Sequence, residues 1–288
     1  MGLFSWIGLA VCLKLSFLFK PTFENEESFS LKLFSVSCFP LFEGSMPESI
    51  FFRDNNAFTM FGWQHWAALI FFGLFGFGLI KISKKFPEKL QIKIGILMAF
   101  LLCGTLIIWT SIKIYLKGFH IKEDLPLHLC NFISILLPVF AYTRKMWMYE
   151  VLLFWILAGT TQAMITPDLV HGFPHYNYLK YWILHAGLVI FILYFTVVFQ
   201  MRPTVRSIFK SFLALQVYFV GMLLVNSLLG SNYFFISEKP PHGSLLDYFG
   251  DWPYYIFVAE LILFPYFFLI YLPFHLSAKR KLRRKKLI

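Results

Sequence analysis

The sequence predicts an all-α, polytopic membrane protein built as a bundle of seven transmembrane helices, and three observations carry that expectation. Hydrophobic residues make up 58% of the 288 positions and charged residues only 14%, whereas a soluble domain needs roughly 25% charged residues to cover its surface. Apolar runs near the ~20 residues that cross the hydrocarbon core recur seven times between Phe61 and Pro273. The runs are apolar all round, without the alternation of a barrel strand, so helices are the spans that leave no backbone group unpaired in lipid.

Taken in order, the runs are Phe61–Ile80, Ile94–Tyr115, Leu125–Tyr142, Tyr149–Ile165, Tyr181–Phe199, Phe212–Phe234 and Pro253–Pro273. Charge in the connections orients them. Lys81, Lys84, Lys85, Lys89 and Lys93 follow the first run, Arg144 and Lys145 the third, and Arg202, Arg206 and Lys210 the fifth. A basic tail, residues 279–288, follows the seventh. The remaining connections are poor in Lys and Arg apart from Lys117 and Lys122. This alternation puts the start of the seven-helix domain (residues 46–278) outside the cell membrane and the tail in the cytoplasm. Trp63, Trp66, Trp182 and Trp252 fall at span ends, where amphipathic rings prefer the interface.

Residues 1–45 stand apart. Leu3 to Phe19 has the length of a signal-peptide hydrophobic region but contains Lys14, lacks a basic start and shows no small-x-small cleavage site. A leader, an extra short helix and a true start at Met46 are the three readings of this segment.

The net charge of +11 does not point to nucleic acid, because the basic residues sit in short blocks between apolar runs and have phospholipid head groups as counter-ions. No zinc-finger spacing, P-loop or arginine-rich arm is present. Cys12, Cys38, Cys103 and Cys130 form no paired framework, so no disulfide is expected. No internal repeat of the kind that builds secondary transporters is found. Nothing in the sequence identifies a cofactor or a protein partner; membrane phospholipids are the expected partners.

Polar residues inside the runs gather toward the non-cytoplasmic side. Gln64 and His65 open the first run, and His128, Cys130 and Asn131 the third. Thr160, Thr161, Gln162 and Thr166 close the fourth, followed by Asp168, and His185 lies about a turn inside the fifth. Asn226, Ser227 and Asn232 close the sixth, and Glu260 lies about two turns into the seventh. Most fall roughly 5–12 Å below the outer boundary, and the cytoplasmic halves are expected to be nearly bare of counterparts. Such residues serve either as interhelical hydrogen-bond glue or, for the ionisable ones, as parts of a cavity.

Cys130 sits near the amino end of its helix, where the dipole favours a thiolate. A nucleophilic cysteine needs a base within hydrogen-bond reach and a third group to orient that base. His185 matches it in depth; His128 lies roughly 200° round the helix and points elsewhere. Asp168, Glu260, Gln162 and Asn131 are the candidates to orient the imidazole, and Asn131 or Gln162 to stabilise an oxyanion. A metal reading, with His128, Cys130, His65 and His185 as ligands, is weakened by an HxC spacing that splits two ligands between helix faces.

The motifs Phe61-Gly-Trp-Gln-His65, Leu125-Pro-Leu-His-Leu-Cys130, Phe154-Trp-Ile-Leu-Ala-Gly-Thr-Thr-Gln162, Thr166-Pro-Asp168, Phe173-Pro-His175, Leu184-His-Ala-Gly187, Asn226, Gly230-Ser-Asn-Tyr233 and Trp252-Pro253 resemble those of the YwaF-like bacterial integral membrane proteins. These are distantly similar to eukaryotic transmembrane protein 164. The resemblance runs from about Met46 to the basic tail. It implies a phospholipid-directed acyltransferase with a cysteine nucleophile and a histidine, which fall here on Cys130 and His185. The expected function is therefore a lipid-directed acyltransferase or hydrolase. A small-molecule transporter or membrane receptor using the same polar pocket without catalysis is the alternative.

Overall fold

The computed structural model describes residues 56–241 and 244–286, with side chains through Ala278 apart from Lys117. All of them belong to one compact unit, Gly44–Ile288. The readings of residues 1–45 lie outside the described residues. The fold is all-α, with no sheet among the described residues beyond a single bridge between Ala57 and His171. In order, α1 is Trp63–Ser83, α2 Glu88–Lys117, α3 Leu129–Thr143, α4 Met146–Trp155, α5 Thr161–Ile165, α6 Tyr176–Val197, α7 Val205–Leu229 and α8 Tyr254–Lys286. A π-helical turn, Ile156–Thr160, joins α4 to α5, so that Met146–Ile165 forms one span. Short 3-10 turns at Tyr233–Phe235 and Leu245–Phe249 lie between α7 and α8.

Six helical segments are long and apolar enough to cross a membrane, which makes the chain a multi-pass membrane protein. α3 is the seventh and shorter, at 15 residues, or about 22 Å of helix. The third span was expected from Leu125. Residues 118–128 are instead turns and extended chain, because Pro126 has no N–H to donate and holds Leu125 extended. Such backbone survives at membrane depth only where protein satisfies it, and two tyrosines do so. Tyr233 Oη accepts from Leu125 N–H (3.1 Å) and donates to the Ile121 carbonyl (2.6 Å), while Tyr218 Oη donates to the Leu127 carbonyl. The sixth span also ends early. Gly230, with φ +59°, stops α7 in the left-handed conformation glycine tolerates, so Asn232 lies in the following loop and not in the helix. α6 begins five residues before the expected Tyr181, which brings Lys180 into the helix.

Helices α4–α5 and α6 form the centre: 56% of each spanning window is buried, against 11–22% in α1, α2, α7 and α8. The outer helices therefore turn phenylalanine and leucine to lipid, as at Phe71, Leu74, Phe77, Leu213, Leu228 and Leu261. α2 packs on α3 and α6, α4 on α7, and α8 on α7 and the π turn. Close approach of α2 to α6 depends on two glycines. A Cβ at Gly95 would stand 2.9 Å from Phe195 Cζ, and one at Gly187 would overlap the Leu102 side chain. The interior is filled by Ile133, Leu137, Phe140, Phe154, Phe191, Phe195 and Phe267, all essentially inaccessible.

The near-bareness expected of the cytoplasmic-side halves is not what the structure contains. At the end carrying the basic loops, Glu150 is buried and accepts hydrogen bonds from Ser207 Oγ and Lys210 Nζ, both at 2.7 Å. Beside it Tyr149 Oη donates to the Met201 carbonyl (3.0 Å) and pairs with Thr196 Oγ1 (2.9 Å). Lys210 entered the sequence reading only as loop charge, but α7 starts at Val205 and presents it to Glu150.

Candidate functional site

Cys130 is the second residue of α3. Residue His128 provides the N-cap without a side-chain hydrogen bond, and no acidic residue occupies the first turn. The amide N–H groups of Leu129, Cys130 and Asn131 thus start a helix without an intrahelical acceptor, and the helix dipole directs partial positive charge toward the thiol. Cys130 Sγ lies 3.6 Å from Thr160 Oγ1. This is its one hydrogen bond among the described residues, so the thiol is not bonded to an imidazole in this state. Thr160, fully buried, is the last residue of the π turn. A π turn carries one residue more than an α turn and re-aims the side chains after it; here it sets Thr160 against α3, where Leu129 packs 3.6 Å from the Cβ position of Gly159.

His185 lies on α6. Its Nδ1 is 2.8 Å from the Tyr181 carbonyl oxygen one turn earlier. A carbonyl only accepts, so Nδ1 carries the proton and the lone pair resides on Nε2. The orienting group is thus a backbone carbonyl and not Asp168, Glu260, Gln162 or Asn131. The imidazole also stacks on the Tyr181 ring, with centroids 4.0 Å apart. Tyr181 Oη is itself fixed, donating to the Ala163 carbonyl at 2.6 Å, and it lies within Coulombic range of Cys130. Tyr181 thus contacts His185 directly and Cys130 only electrostatically. Cys130 and His185 are both half-buried. His185 Nε2 makes no hydrogen bond among the described residues.

The other predicted residues divide into two groups. Four are tied to backbone. His65 is buried, its Nδ1 accepting from Phe61 N–H (3.0 Å) and its Nε2 donating to the Met164 carbonyl (2.9 Å), which leaves no ring nitrogen for a metal. Gln64 Oε1 accepts from Phe173 N–H at 3.0 Å. Asn226 binds the Tyr233 carbonyl, the Tyr233 N–H and Ser231 Oγ at 2.8–2.9 Å. Asn232 binds the Glu238 carbonyl and the N–H groups of Ser237 and Glu238. The remainder do not converge on one point either. Glu260 is held 2.6 Å from Gln216 Nε2 between α8 and α7. Gln162 Nε2 donates to Thr166 Oγ1 at 2.9 Å. Asn131 is half-buried and its side-chain amide makes no hydrogen bond among the described residues. His128 packs against the rings of Tyr233 and Phe235 and lies within Coulombic range of Asp168 and Lys180. No group of three or more metal-ligating side chains occurs among the described residues.

Three members of this neighbourhood went unmarked in the sequence. Tyr181 and Lys180 sit where α6 begins five residues ahead of the apolar run, and Asp124 lies just before the third run. Asp124 is buried beneath that segment, where it accepts from Lys113 Nζ and His120 N–H, both at 2.6 Å. Burial works against its carboxylate, but these two donors outweigh burial and hold the carboxyl below its ordinary value.

The description "TMEM164 family" matches residues 60–271, well over half of the chain and every helix from α1 into α8. A Treponema pallidum (strain Nichols) protein, described as an uncharacterized protein, is 27% identical over 199 residues, covering 65% of this chain and 78% of its own. No solved structure matches the chain. The matched region contains Cys130, Thr160, Tyr181 and His185 together with the helices that hold them, and on that extent the chain belongs to the TMEM164 family.

Proposed function

We propose that this protein is a lipid-directed acyltransferase or hydrolase, with Cys130 as nucleophile and His185 as general base. It works at the end of the bundle where α3 and α6 begin, which the loop charges orient away from the cytoplasm. The observation that carries the reading is the His185 tautomer. With Nδ1–H committed to the Tyr181 carbonyl, Nε2 is left with a lone pair and no hydrogen-bond partner among the described residues.

The chemistry follows from these groups. His185 Nε2 takes the Cys130 proton as Sγ attacks the carbonyl carbon of an acyl ester. The developing oxyanion finds donors in the unpaired first-turn N–H groups of α3 and the Asn131 amide. Collapse breaks the ester C–O bond, the alcohol leaves with the proton from Nε2, and the acyl group remains as a thioester on Cys130. In the second step the hydroxyl of an acceptor, or water, gives its proton to Nε2 and attacks the thioester. The thiolate leaves and recovers that proton. Forming the Cys130–His185 hydrogen bond requires the thiol to leave Thr160, and catalytic hydrogen bonds of this kind tighten when substrate binds. Phospholipid is the substrate class favoured, because the pair lies inside a bundle whose outer helices face lipid. The packed layer of Phe140, Phe191 and Phe195 beneath it offers no polar route across the bundle, which favours a one-sided site over a transporter.

Covalent capture tests the proposal. Purified protein and its Cys130→Ala variant are incubated with phospholipids and weighed intact. An acyl-sized adduct that hydroxylamine removes, that the variant lacks and that His185→Ala suppresses is the expected result. No adduct with any phospholipid class, together with binding of lipid, would leave a receptor-like pocket in which Cys130 is packing.

A further inference from the structure

Lys180 belongs to the second turn of α6, one residue before Tyr181 and five before His185. It is half-buried, and its ammonium makes no hydrogen bond or ion pair among the described residues. The contrast with Lys113 on α2 is instructive. Lys113 Nζ is neutralised by Asp124 Oδ1 at 2.6 Å and Glu123 Oε2 at 3.2 Å. Lys180 lies within Coulombic range of Lys113, Asp124, His128 and His185. Asp124, the acid within Coulombic range of Lys180, is thus already committed to another lysine. An ammonium drawn into a membrane bundle without its own acid is unfavourable until an anion joins it.

The geometry points to Lys180 as the subsite for a phosphate group, the singly charged phosphodiester of a glycerophospholipid whose acyl ester reaches Cys130. This rests on the acyl-transfer reading and adds the group that would position the substrate. Five residues of helix place Lys180 about 7.5 Å nearer the polar end than His185. A lipid entering from that end meets them in the order of its own structure, with phosphate first and ester carbonyl deeper, separated by the glycerol carbons. Lysine binds phosphate as a point charge on a flexible stem that extends toward the interface.

The test uses the full chain in detergent with Cys130→Ala as background, so that no thioester forms. Binding of phosphatidylethanolamine and of diacylglycerol with the same acyl chains is measured by native mass spectrometry, with Lys180 intact or changed to Met or Arg. Lys180→Met is expected to weaken phosphatidylethanolamine roughly tenfold or more, to leave diacylglycerol unchanged, and to be rescued in part by Lys180→Arg. Equal phosphatidylethanolamine binding by Lys180→Met, or equal loss of both lipids, overturns the subsite; Lys180→Gln replaces Met if that variant does not fold. Glycerol 3-phosphate added as competitor separates the sources. Displacement that depends on Lys180 shows that a water-soluble phosphate also fits, and its absence assigns the site to the lipid. Since Cys130 is absent throughout, a Lys180 effect here with no adduct on the wild type would remove the acyl-transfer reading alone.

Discussion

The two ends of the bundle treat buried polar groups differently. At the basic-loop end, Ser207 and Lys210 both bind Glu150, and Thr196 and Met201 both bind Tyr149. Each of these groups meets a partner, although Ser83 Oγ, at the same end, is buried without one. At the opposite end some groups are equally well tied, such as His65 and Asn226, but Cys130 has only a long contact to Thr160. His185 keeps one nitrogen open and Lys180 keeps its charge unpaired. Polarity inside a membrane span therefore does not mark a site; an unspent valence beside accessible space does, since glue that is fully satisfied has nothing left to offer a ligand.

This contrast can be broken or sharpened by experiment. The largest effect is expected at the open end. Cys130→Ala and His185→Ala should each lower acyl transfer at least about a thousandfold while leaving thermal stability in detergent within about 1 kcal/mol of wild type. A variant that loses both together would make these residues structural. The satisfied groups should behave in the opposite way. Asn226→Ala removes three hydrogen bonds at the end of α7, two with Tyr233 and one from Ser231, and should cost roughly 2–3 kcal/mol in unfolding. Lys210→Met leaves the buried Glu150 carboxylate with Ser207 alone and should cost about 1–3 kcal/mol, without altering lipid binding per folded molecule.

Thr160→Val tests the border between the two classes. It keeps the shape of the π turn but removes the hydroxyl facing Cys130, so a stability loss of about 1 kcal/mol and a change in thiol alkylation rate of a few-fold are expected. The smallest effect concerns pH. The Asp124 carboxyl is held below its ordinary value in the folded protein, so its contribution is fully present above the unfolded pKa of about 3.8 and is lost as pH falls through the folded value. An acid limb in the unfolding temperature below about pH 4 should therefore flatten in Asp124→Asn.

Much of this architecture was legible in the chain. Composition and run length require helices in lipid, and each of the seven apolar runs holds a helix, six of them long enough to cross, because hydrocarbon thickness sets the length scale of a span. Boundaries were read less well where polar residues continue a helix past the apolar run, as at Lys180 and Lys210, or where backbone leaves a helix inside one, as at Leu125–His128. The polar residues were found, but their roles were not. Gln64, His65, Asn226 and Asn232 look the same in sequence as Asn131 or His185, and only their neighbours distinguish a backbone tie from a free group.

The sequence by itself determined the class, the apolar runs that become helices and the family motifs, because these depend on composition and local spacing. The tertiary structure decided which groups are spent. It set the π turn at Ile156–Thr160, which brings Thr160 to Cys130, the carbonyl that fixes the His185 tautomer, and the pairing that satisfies Lys113 but not Lys180. Hydrogen bonds and ion pairs act over a few ångströms between residues far apart in the chain, so no reading of spacing along one helix could assign them.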